Sequence, residues 1–412
     1  MRSGRQKRLA VTGIGLVTPA GIGAVPTWDA LCAARPTAAT DQDLAGLPVT
    51  FSCRVPGPDA AAVPGPKSWR HDRYTRLALL AAREAVADAS LEPGSWKDTR
   101  VAVVVGSAAG GILTFEKQHA RLLTTGPSAV SPLTLPAFLP NMASGQLAIE
   151  LGVRGPSLHT ATACASGATA IMTAAQLLRD DLCDIAIAGA SDCMVTRLCT
   201  AAFAKMGALS RRNRQPEAAS RPFDSARDGF VLAEGAGVLV LERSADATAR
   251  QARPYGMLDG WAATSDAHAM TAPDPEGRGL HRAFDLALTE ADATARDVDH
   301  VNAHGTGTPL NDRTEAGVLS RLFAEGGPTV TSAKGVLGHT MGAAGAIEAA
   351  LTVLTLRQGI VPPTANLTTV DPAARSLDLV QGKARPQTVE FAVSASSGFG
   401  GHNAVLAFRS AE

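Results

Sequence analysis

Aromatic residues are scarce in this chain of 412 residues, which contains Phe 11, Trp 4 and Tyr 2. The core is therefore expected to be packed mainly with aliphatic side chains, alanine and glycine. Hydrophobic residues still make up 45% of the sequence and charged residues 18%, which excludes a disordered chain. The length exceeds what one hydrophobic core usually serves, so two packed halves are predicted.

Net charge is also lacking, because Lys+Arg 38 balance Asp+Glu 38. A general nucleic-acid-binding protein carries a basic excess, so no nucleic-acid partner is predicted. A neutral total leaves room for a small basic patch that faces an acidic partner.

Long apolar runs and metal-like cysteine patterns are absent from the sequence. No stretch of 18 apolar residues occurs, and the basic residues 1–8 lead directly into a strand-like segment, so neither membrane insertion nor a signal peptide is predicted. No CxxC pair or zinc-like repeat occurs, which predicts no metal site and a reducing, cytoplasmic location. The cysteines are Cys32, Cys53, Cys164, Cys183, Cys193 and Cys199.

A strand–turn–helix pattern occurs twice. Residues 157–163 are strand-like and lead through a small-residue turn into a predicted helix at 168–178. Residues 329–334 lead in the same way into a predicted helix at 343–356. The strands at 8–17 and 254–263 would each begin one half, which predicts an internal duplication of β/α halves divided near residue 250.

Cys164 stands at the turn of the first repeat, directly before the predicted helix. The helix N-terminus lowers the pKa of a cysteine and favours its thiolate, and the small neighbours leave room for an acyl group and a backbone oxyanion hole. A lone cysteine is more often a small buried hydrophobic residue. The motif alone leaves both readings open.

Two histidines follow in the second half. His304 ends an apolar strand in Ala-His-Gly-Thr-Gly-Thr, and His339 lies in the turn of the second repeat, five residues after Lys334. Glu348 follows on the predicted helix, and Phe399 stands between glycines, where a gate or a hairpin turn would suit it. Core histidines and solvated charges are the alternatives for these positions. The glycines do not form GxGxxG, which excludes a dinucleotide fingerprint.

The motifs around Cys164, His304 and His339, in this order, resemble those of the β-ketoacyl-(acyl carrier protein) synthases, the elongating condensing enzymes of the thiolase superfamily. The similarity is to the KAS II group and its type II polyketide relatives, because initiating synthases use Cys-His-Asn and thiolases use a second cysteine. Further matching segments are residues 11–19, 141–142, 155–157, 221–224, 227–230, 234–237 and 398–401.

The resemblance implies an α/β, thiolase-like fold whose duplicated halves form a layered αβαβα sandwich. Residues 1–250 would carry the nucleophilic cysteine and residues 251–412 both catalytic histidines. Cys164 would hold an acyl chain, and malonyl carrier protein would lose carbon dioxide and attack that chain, giving a β-ketoacyl carrier protein. His304 and His339 would stabilise the enolate, and the backbone amides of Cys164 and Phe399 the oxyanion. No cofactor is implied, because 4′-phosphopantetheine belongs to the carrier protein.

The resemblance also assigns supporting residues. Lys334 and Glu348 would form a charge pair behind the site, and Asp312 would orient it. The pantetheine contacts would be Thr306, Thr308 and Thr271, and the acyl pocket with its gate would comprise Ala108, Ala109, Phe203 and Phe399. The small alanines predict a roomy pocket for a long, unsaturated or branched chain. In the segment 266–271 the histidine stands at 268, one place from its usual position, which puts a channel role for His268 in doubt.

The carrier proteins of this family are acidic, which implies a basic docking rim; solvated faces are the alternative for each cluster. One predicted cluster comprises Lys67 and Arg70 with Arg73 and Arg76, and the other comprises Lys205, Arg211 and Arg212 with Arg214.

The partners implied are acyl and malonyl carrier proteins and a second subunit. That subunit would make a homodimer or, with a chain-length factor, a heterodimer. A non-catalytic partner subunit typically lacks the nucleophilic cysteine, which Cys164 supplies here. Fatty-acid and polyketide elongation both remain open, as do chain length and the number of rounds.

Overall fold

The computed structural model describes residues 8–57, 70–323 and 326–411. The strands are β1 Leu9–Thr18, β2 Gly21–Ile22, β3 Ala39–Thr40, β4 Phe51–Ser52, β5 Val101–Gly106, β6 Ser157–Thr160, β7 Ile185–Cys193, β8 Glu234–Arg243, β9 Gly256–Ser265, β10 His300–Asn302, β11 Thr329–Thr331, β12 Ile360–Val361, β13 Asp378–Leu379, β14 Arg385–Pro386, β15 Phe391–Gly398 and β16 His402–Arg409. The helices are α1 Ala24–Cys32, α2 Arg73–Asp88, α3 Ile112–Thr125, α4 Thr134–Phe138, α5 Met142–Leu151, α6 Ser166–Arg179, α7 Arg197–Met206, α8 Ser244–Ala249, α9 Arg278–Glu290, α10 Pro309–Leu322, α11 Lys334–Leu337 and α12 Ala344–Gln358.

The main sheet consists of two halves with the same strand order. The first half runs β6-β5-β7-β8-β1, and the second runs β11-β10-β15-β16-β9. In each half the first three strands are parallel and the remaining neighbours are antiparallel. The halves meet where β1 pairs with β9, and this repetition confirms the predicted duplicated α/β fold. The division into residues 1–250 and 251–412 stays a prediction.

Two buried helices, α6 and α12, form the central layer between the halves of the sheet. They pack on each other, α6 on β5 and β7 and α12 on β8 and β15. Close approach requires small residues here, because a β-carbon at Gly167 would lie 2.5 Å from the backbone nitrogen of Ala346. Outside the sheet, α2 covers β1, β7 and β8, while α9 covers β9 and β16. The layers therefore follow the predicted αβαβα sequence.

Each central helix is preceded by one 3-10 turn that opens on a left-handed residue. The turns are Ala163–Ala165 and Met341–Ala343, with φ of 49° at Ala163 and 54° at Met341. A non-glycine residue in this region costs on the order of 1 kcal/mol or more, so the surrounding structure must fix both turns. The duplication thus places Cys164 and the loop after His339 at corresponding positions.

Two predicted strands are shorter than the sequence suggests. β6 ends at Thr160 because the following residues turn toward Cys164, and β11 ends at Thr331 because α11 begins at Lys334. Within the described residues, no helix is long and apolar enough to cross a membrane.

Candidate active site

A cavity of about 380 Å³ opens between the two halves and gathers most of the predicted site residues. Cys164, His304 and His339 line it together, although the two histidines follow the cysteine by 140 and 175 positions in the numbering. The other predicted residues on its wall are Phe203, Thr271, Thr306, Thr308 and Phe399.

Cys164 is 5% exposed, and its Sγ lies 3.2 Å from Nε2 of His339. The position before α6 is as predicted, but the expected low pKa is not found. Burial raises the pKa of the Cys164 thiol to about 12, and the nearby charge of Lys334 offsets only part of this effect. The resting residue is therefore a neutral thiol that needs a proton acceptor to become a nucleophile.

Lys334 fixes the tautomer of His304. Its Nζ donates to the carbonyl oxygen of His304 at 2.6 Å and faces Nδ1 of the same residue at 3.4 Å. It also pairs with Glu348, and both side chains are buried. An ammonium group only donates, so Nδ1 of His304 must accept and its proton sits on Nε2. Burial and the charge of Lys334 lower the pKa of His304 well below its usual value, which keeps the ring neutral.

His339 lies between the thiol and two aromatic rings. Its ring centroid is 5.4 Å from that of His304 and 5.3 Å from that of Phe230, and both rings meet it edge-on. Burial and the charge of Lys334 lower the pKa of His339 well below its usual value. Two neutral histidines thus face one point near Cys164, where each can offer a neutral donor or acceptor.

The backbone around Gly398 supports the predicted oxyanion hole. A β-carbon at this position would lie 3.1 Å from the backbone nitrogen of Cys164 and 2.6 Å from the carbonyl oxygen of Thr162. The segment that leads to Phe399 therefore passes directly over the amide of the nucleophile. Only a residue without a side chain leaves that amide accessible.

We expect Gly398→Ala to lower the rate of acyl transfer to Cys164 by about 10² to 10³-fold, the usual cost of losing an oxyanion donor. Single-turnover acylation followed by intact-protein mass measures this rate. The matched control is Gly317→Ala, because a β-carbon at Gly317 on α10 meets only the end of the Arg321 side chain, at 3.5 Å. An acylation rate in Gly398→Ala equal to that of the control would contradict the assignment.

Two buried carboxylates on α10 hold the loop after His304. Asp312, which was predicted to orient the site, accepts from the amides of Phe223 at 2.8 Å and Gly307 at 3.1 Å. Glu315 accepts from the amides of His304 and Gly305, each at 2.7 Å. Glu315 was not predicted from the sequence, although its place one helical turn after Asp312 was the available signal.

The three threonines predicted to contact pantetheine all line the cavity, and their role stays a prediction. The hydroxyls of Thr306 and Thr308 lie 2.9 Å apart, and Thr271 lines the same cavity. Asp266, which also lines the cavity, accepts a hydrogen bond from Nδ2 of Asn403 at 2.7 Å. His268 is exposed and lies off the cavity wall, in line with the doubt about a channel role.

Ala108 and Ala109 are not among the residues that line this cavity, and their assignment to the acyl pocket stays a prediction. Their backbone amides donate to the buried carboxylate of Asp192, which holds this segment in place. Ala108 packs at the edge of the apolar cluster that contains Cys164 and Phe203. Asp192 was not predicted from the sequence, since its partners lie more than 80 positions away in the chain.

The two predicted docking clusters differ in how many of their charges are exposed. Lys67 lies outside the described residues, and Arg70 is exposed. Arg73 is not a surface cation, because its guanidinium pairs at 2.6 Å with the fully buried Glu234. Because its charge is paired inside the protein, Arg73 does not belong to the docking rim.

The second cluster borders the cavity. Lys205 and Arg211 are exposed, and Gly207 between them lines the cavity wall. Arg212 donates to the carbonyl oxygen of Ala226 at 2.6 Å, which ties part of its side chain to the protein. The exposed cations of this cluster are Lys205, Arg211 and Arg214, and Lys205 directly precedes Met206, which lines the cavity.

Comparison with protein families gives two matches along the chain. The model described as "Beta-ketoacyl synthase, N-terminal domain" matches residues 6–247, and "Beta-ketoacyl synthase, C-terminal domain" matches residues 255–368. A curated protein of Synechocystis sp., "3-oxoacyl-[acyl-carrier-protein] synthase 2", is 40% identical over 409 residues, which cover 98% of each chain. The protein of the same description from Staphylococcus aureus is 38% identical over 419 residues and 99% of each chain.

Solved structures of similar fold cover nearly the whole chain. "The ishigamide ketosynthase/chain length factor" superposes with a TM-score of 0.92 at 31% identity, over 99% of this chain and 100% of that chain. A second structure, of a type II PKS acyl-carrier protein in complex with its ketosynthase bound to the hexaketide, gives 0.91 at 30% identity, over 98% and 100% of the two chains.

Proposed function

Since this chain belongs to the β-ketoacyl synthase family, we propose that it condenses an acyl chain held on Cys164 with malonyl carrier protein. The product is a β-ketoacyl carrier protein, two carbons longer. The observation that carries the proposal is the meeting of Cys164, His339 and His304 in one cavity, with 3.2 Å between Sγ and Nε2 of His339.

Acyl transfer comes first. The Cys164 thiol, whose pKa burial raises to about 12, lies 3.2 Å from Nε2 of the neutral His339, and its proton passes to the pantetheine sulfur that leaves in this step. Sulfur then attacks the thioester carbonyl of the acyl carrier protein, and the oxyanion lies against the amides of Cys164 and Phe399. The C–S bond to pantetheine breaks, and the pantetheine sulfur leaves with the proton, so the chain remains as a thioester on Cys164.

Condensation follows on the malonyl carrier protein. The bond between the malonyl carboxylate and its α-carbon breaks, carbon dioxide leaves, and the electron pair forms an enolate. Nε2–H of His304, whose tautomer Lys334 sets, and the ring of His339 donate to the enolate oxygen. The α-carbon then attacks the acyl carbonyl on Cys164, the C–S bond breaks, and the sulfur takes up one proton from solvent, which the overall reaction consumes.

The stoichiometry tests this reaction. Purified protein with acyl and malonyl carrier proteins is expected to release one carbon dioxide for each β-ketoacyl carrier protein formed, as measured by mass spectrometry of the carrier. Carbon dioxide release without any β-ketoacyl product, in the presence of an acylated Cys164, would contradict the proposed condensation.

We propose that acidic carrier proteins dock beside the mouth of the cavity on Lys205 and Arg211, which are exposed there. Lys205→Glu combined with Arg211→Glu should raise the KM for acyl carrier protein several-fold at low salt with kcat little changed, because rim charges act mainly on association. Arg296→Glu is the matched control, since this exposed arginine precedes β10 and His304 follows the other end of that strand. A KM equal to that of the control would count against this surface.

The second subunit is proposed to bind the apolar face formed by α3, α4, α5 and the edge strand β6. These elements contact one another and expose Phe115, Leu122, Leu123, Leu135, Leu139, Ile149 and Leu158. β6 pairs only with β5 within the described chain, so its outer edge is open to a partner strand. A chain of the same fold is the proposed occupant.

A homodimer is the first candidate, and a heterodimer with a chain-length factor is the second. The second is favoured by the similarity to "Ketosynthase (ApeO) in Complex with its Chain Length Factor (ApeC)", which covers 100% of this chain with a TM-score of 0.85 and 26% identity. The proposed location is the cytoplasm, and no cofactor beyond the pantetheine of the carrier protein is proposed.

A further inference from the structure

One carboxylate outside the proposed catalytic set joins the two halves of the molecule beside the cavity. Asp192 lies near the end of β7 and is fully buried. Its Oδ1 accepts hydrogen bonds from Oγ of Ser107 at 2.6 Å and the amide of Ala109 at 3.3 Å. Its Oδ2 accepts from the amides of Ala108 at 2.8 Å and Gly342 at 2.7 Å.

The bound segments belong to different halves of the duplication. Residues 107–109 follow β5 in the first half, and Gly342 lies three positions after His339 in the turn before α12. A β-carbon at Gly342 would lie 2.3 Å from Oδ2 of Asp192 and 2.6 Å from the nitrogen of Ala108. The turn that follows His339 therefore packs directly against the carboxylate and against the segment it holds.

The charge of Asp192 is stabilised by these donors alone. Among the described residues, no lysine, arginine or histidine forms an ion pair with it. Asparagine could not replace it, because an amide has a single acceptor oxygen and its NH₂ group would face backbone N–H donors. Loss of one acceptor would leave at least one buried amide unpaired.

We propose that Asp192 is a positioning residue for the condensation step, which sets His339 relative to Cys164 and couples this histidine to the segment 107–109. The inference rests on the proposed function, because condensation needs the histidines at one enolate oxygen. A displacement of about 1 Å in such a group typically costs about 10²-fold in rate.

Acyl transfer should depend less on Asp192 than condensation does. The turn that carries Cys164 is held mainly by internal hydrogen bonds, from the amide of Thr162 to Oγ of Ser166 at 3.0 Å and from that Oγ to the carbonyl oxygen of Ala163 at 2.6 Å, while its bond to the carbonyl oxygen of Ser107 is long, at 3.4 Å. The negative charge of Asp192 also raises the pKa of Cys164, so removing that charge favours thiolate formation. A comparison of the rates of the two half-reactions therefore distinguishes a positioning role of Asp192 from a general loss of structure.

The test compares Asp192→Asn with the wild-type protein in both half-reactions. Acylation of Cys164 is measured by intact mass in a single turnover, and condensation by the β-ketoacyl product formed from the acylated enzyme and malonyl carrier protein. We expect condensation to fall by about 10²-fold and acylation by less than about 10-fold. Ser107→Ala, which keeps the carboxylate and removes one donor, should change the ratio of the two rates in the same direction by a smaller factor.

The matched control is Glu242→Gln, which removes a buried carboxylate that pairs with Arg250 and Thr12 between β1 and β8. It should leave the ratio of the two rates unchanged. Equal losses in both half-reactions of Asp192→Asn and Ser107→Ala would overturn the positioning role. A wild-type protein that performs neither reaction would overturn the proposed function instead.

Hydrogen exchange tests the coupling without any activity. In Asp192→Asn, the amides of Ala108, Ala109 and Gly342 should all exchange faster than in the wild-type protein, because one carboxylate protects them together. Faster exchange on only one side, at 108–109 or at 342, would overturn the coupling. This measurement remains decisive when the substrate is unknown.

Discussion

Cys164→Ala is expected to lower the rate of condensation by about 10⁴-fold or more, because it removes the atom that carries the acyl chain. The rest of the cavity stays in place, since the cysteine is small and its turn is fixed by backbone hydrogen bonds such as that from Ala165 to the carbonyl oxygen of Thr162 at 3.0 Å. The β-ketoacyl product formed at saturating acyl and malonyl carrier protein measures the loss.

Decarboxylation of malonyl carrier protein by this variant provides the internal comparison. His304 and His339 do not depend on the thiol for their positions, so carbon dioxide release should persist while condensation stops. Cys199→Ala is the matched control, because this half-buried cysteine lies on α7 outside the cavity wall. Condensation by Cys164→Ala at the rate of the control would exclude Cys164 as the nucleophile.

Lys334→Met is the second change with a large expected effect, on stability as well as activity. It leaves Glu348 buried without its cation, which typically costs about 3–5 kcal/mol. It also removes the donor that holds Nδ1 of His304 as an acceptor, so the proton of that ring is no longer fixed on Nε2. We expect condensation to fall by about 10²-fold or more, measured at a temperature where the variant is folded.

The stability of this variant should depend on pH in a definite direction. Burial raises the pKa of Glu348 from its ordinary value of 4.5 to about 7, while the charge of Lys334 lowers it. Without that charge the pKa of Glu348 in the folded state rises further. The folded state then binds a proton that the unfolded state releases, so the stability of Lys334→Met should fall as pH rises from about 4.5 through 7 and beyond.

The double variant Lys334→Met with Glu348→Leu separates the two effects. It removes both charges, so thermal unfolding should return toward the wild-type midpoint and lose the added pH dependence. Condensation should remain low, because His304 still lacks its donor. Recovery of both stability and condensation would show that Lys334 acts only as the counter-charge of Glu348.

The sequence was sufficient to predict the site residues whose role is indicated by the residues next to them in the chain. Cys164 and His339 each stand in a strand–turn–helix segment, and His304 ends an apolar strand in a Gly/Thr loop. The duplicated strand order makes these segments converge, and the resemblance to a known family indicated their chemistry.

Residues that act through distant contacts could not be predicted in this way. Asp192 binds segments 85 positions before and 150 positions after it, and nothing near it in sequence marks that role. Arg73 looked like a surface cation until its partner Glu234, 161 positions away, was placed beside it. Burial raises the pKa of Cys164, and this burial depends on residues that are far apart in the sequence.

The most direct test of the central claim is the intact mass of the purified protein after incubation with a panel of acyl carrier proteins and then with malonyl carrier protein. The account predicts a mass gain equal to the acyl group on the wild-type protein and none on Cys164→Ala. It further predicts the loss of that mass, with formation of β-ketoacyl carrier protein, when malonyl carrier protein is added. A wild-type chain that gains no mass with any donor, alone or with a ketosynthase-like partner subunit, would contradict the account.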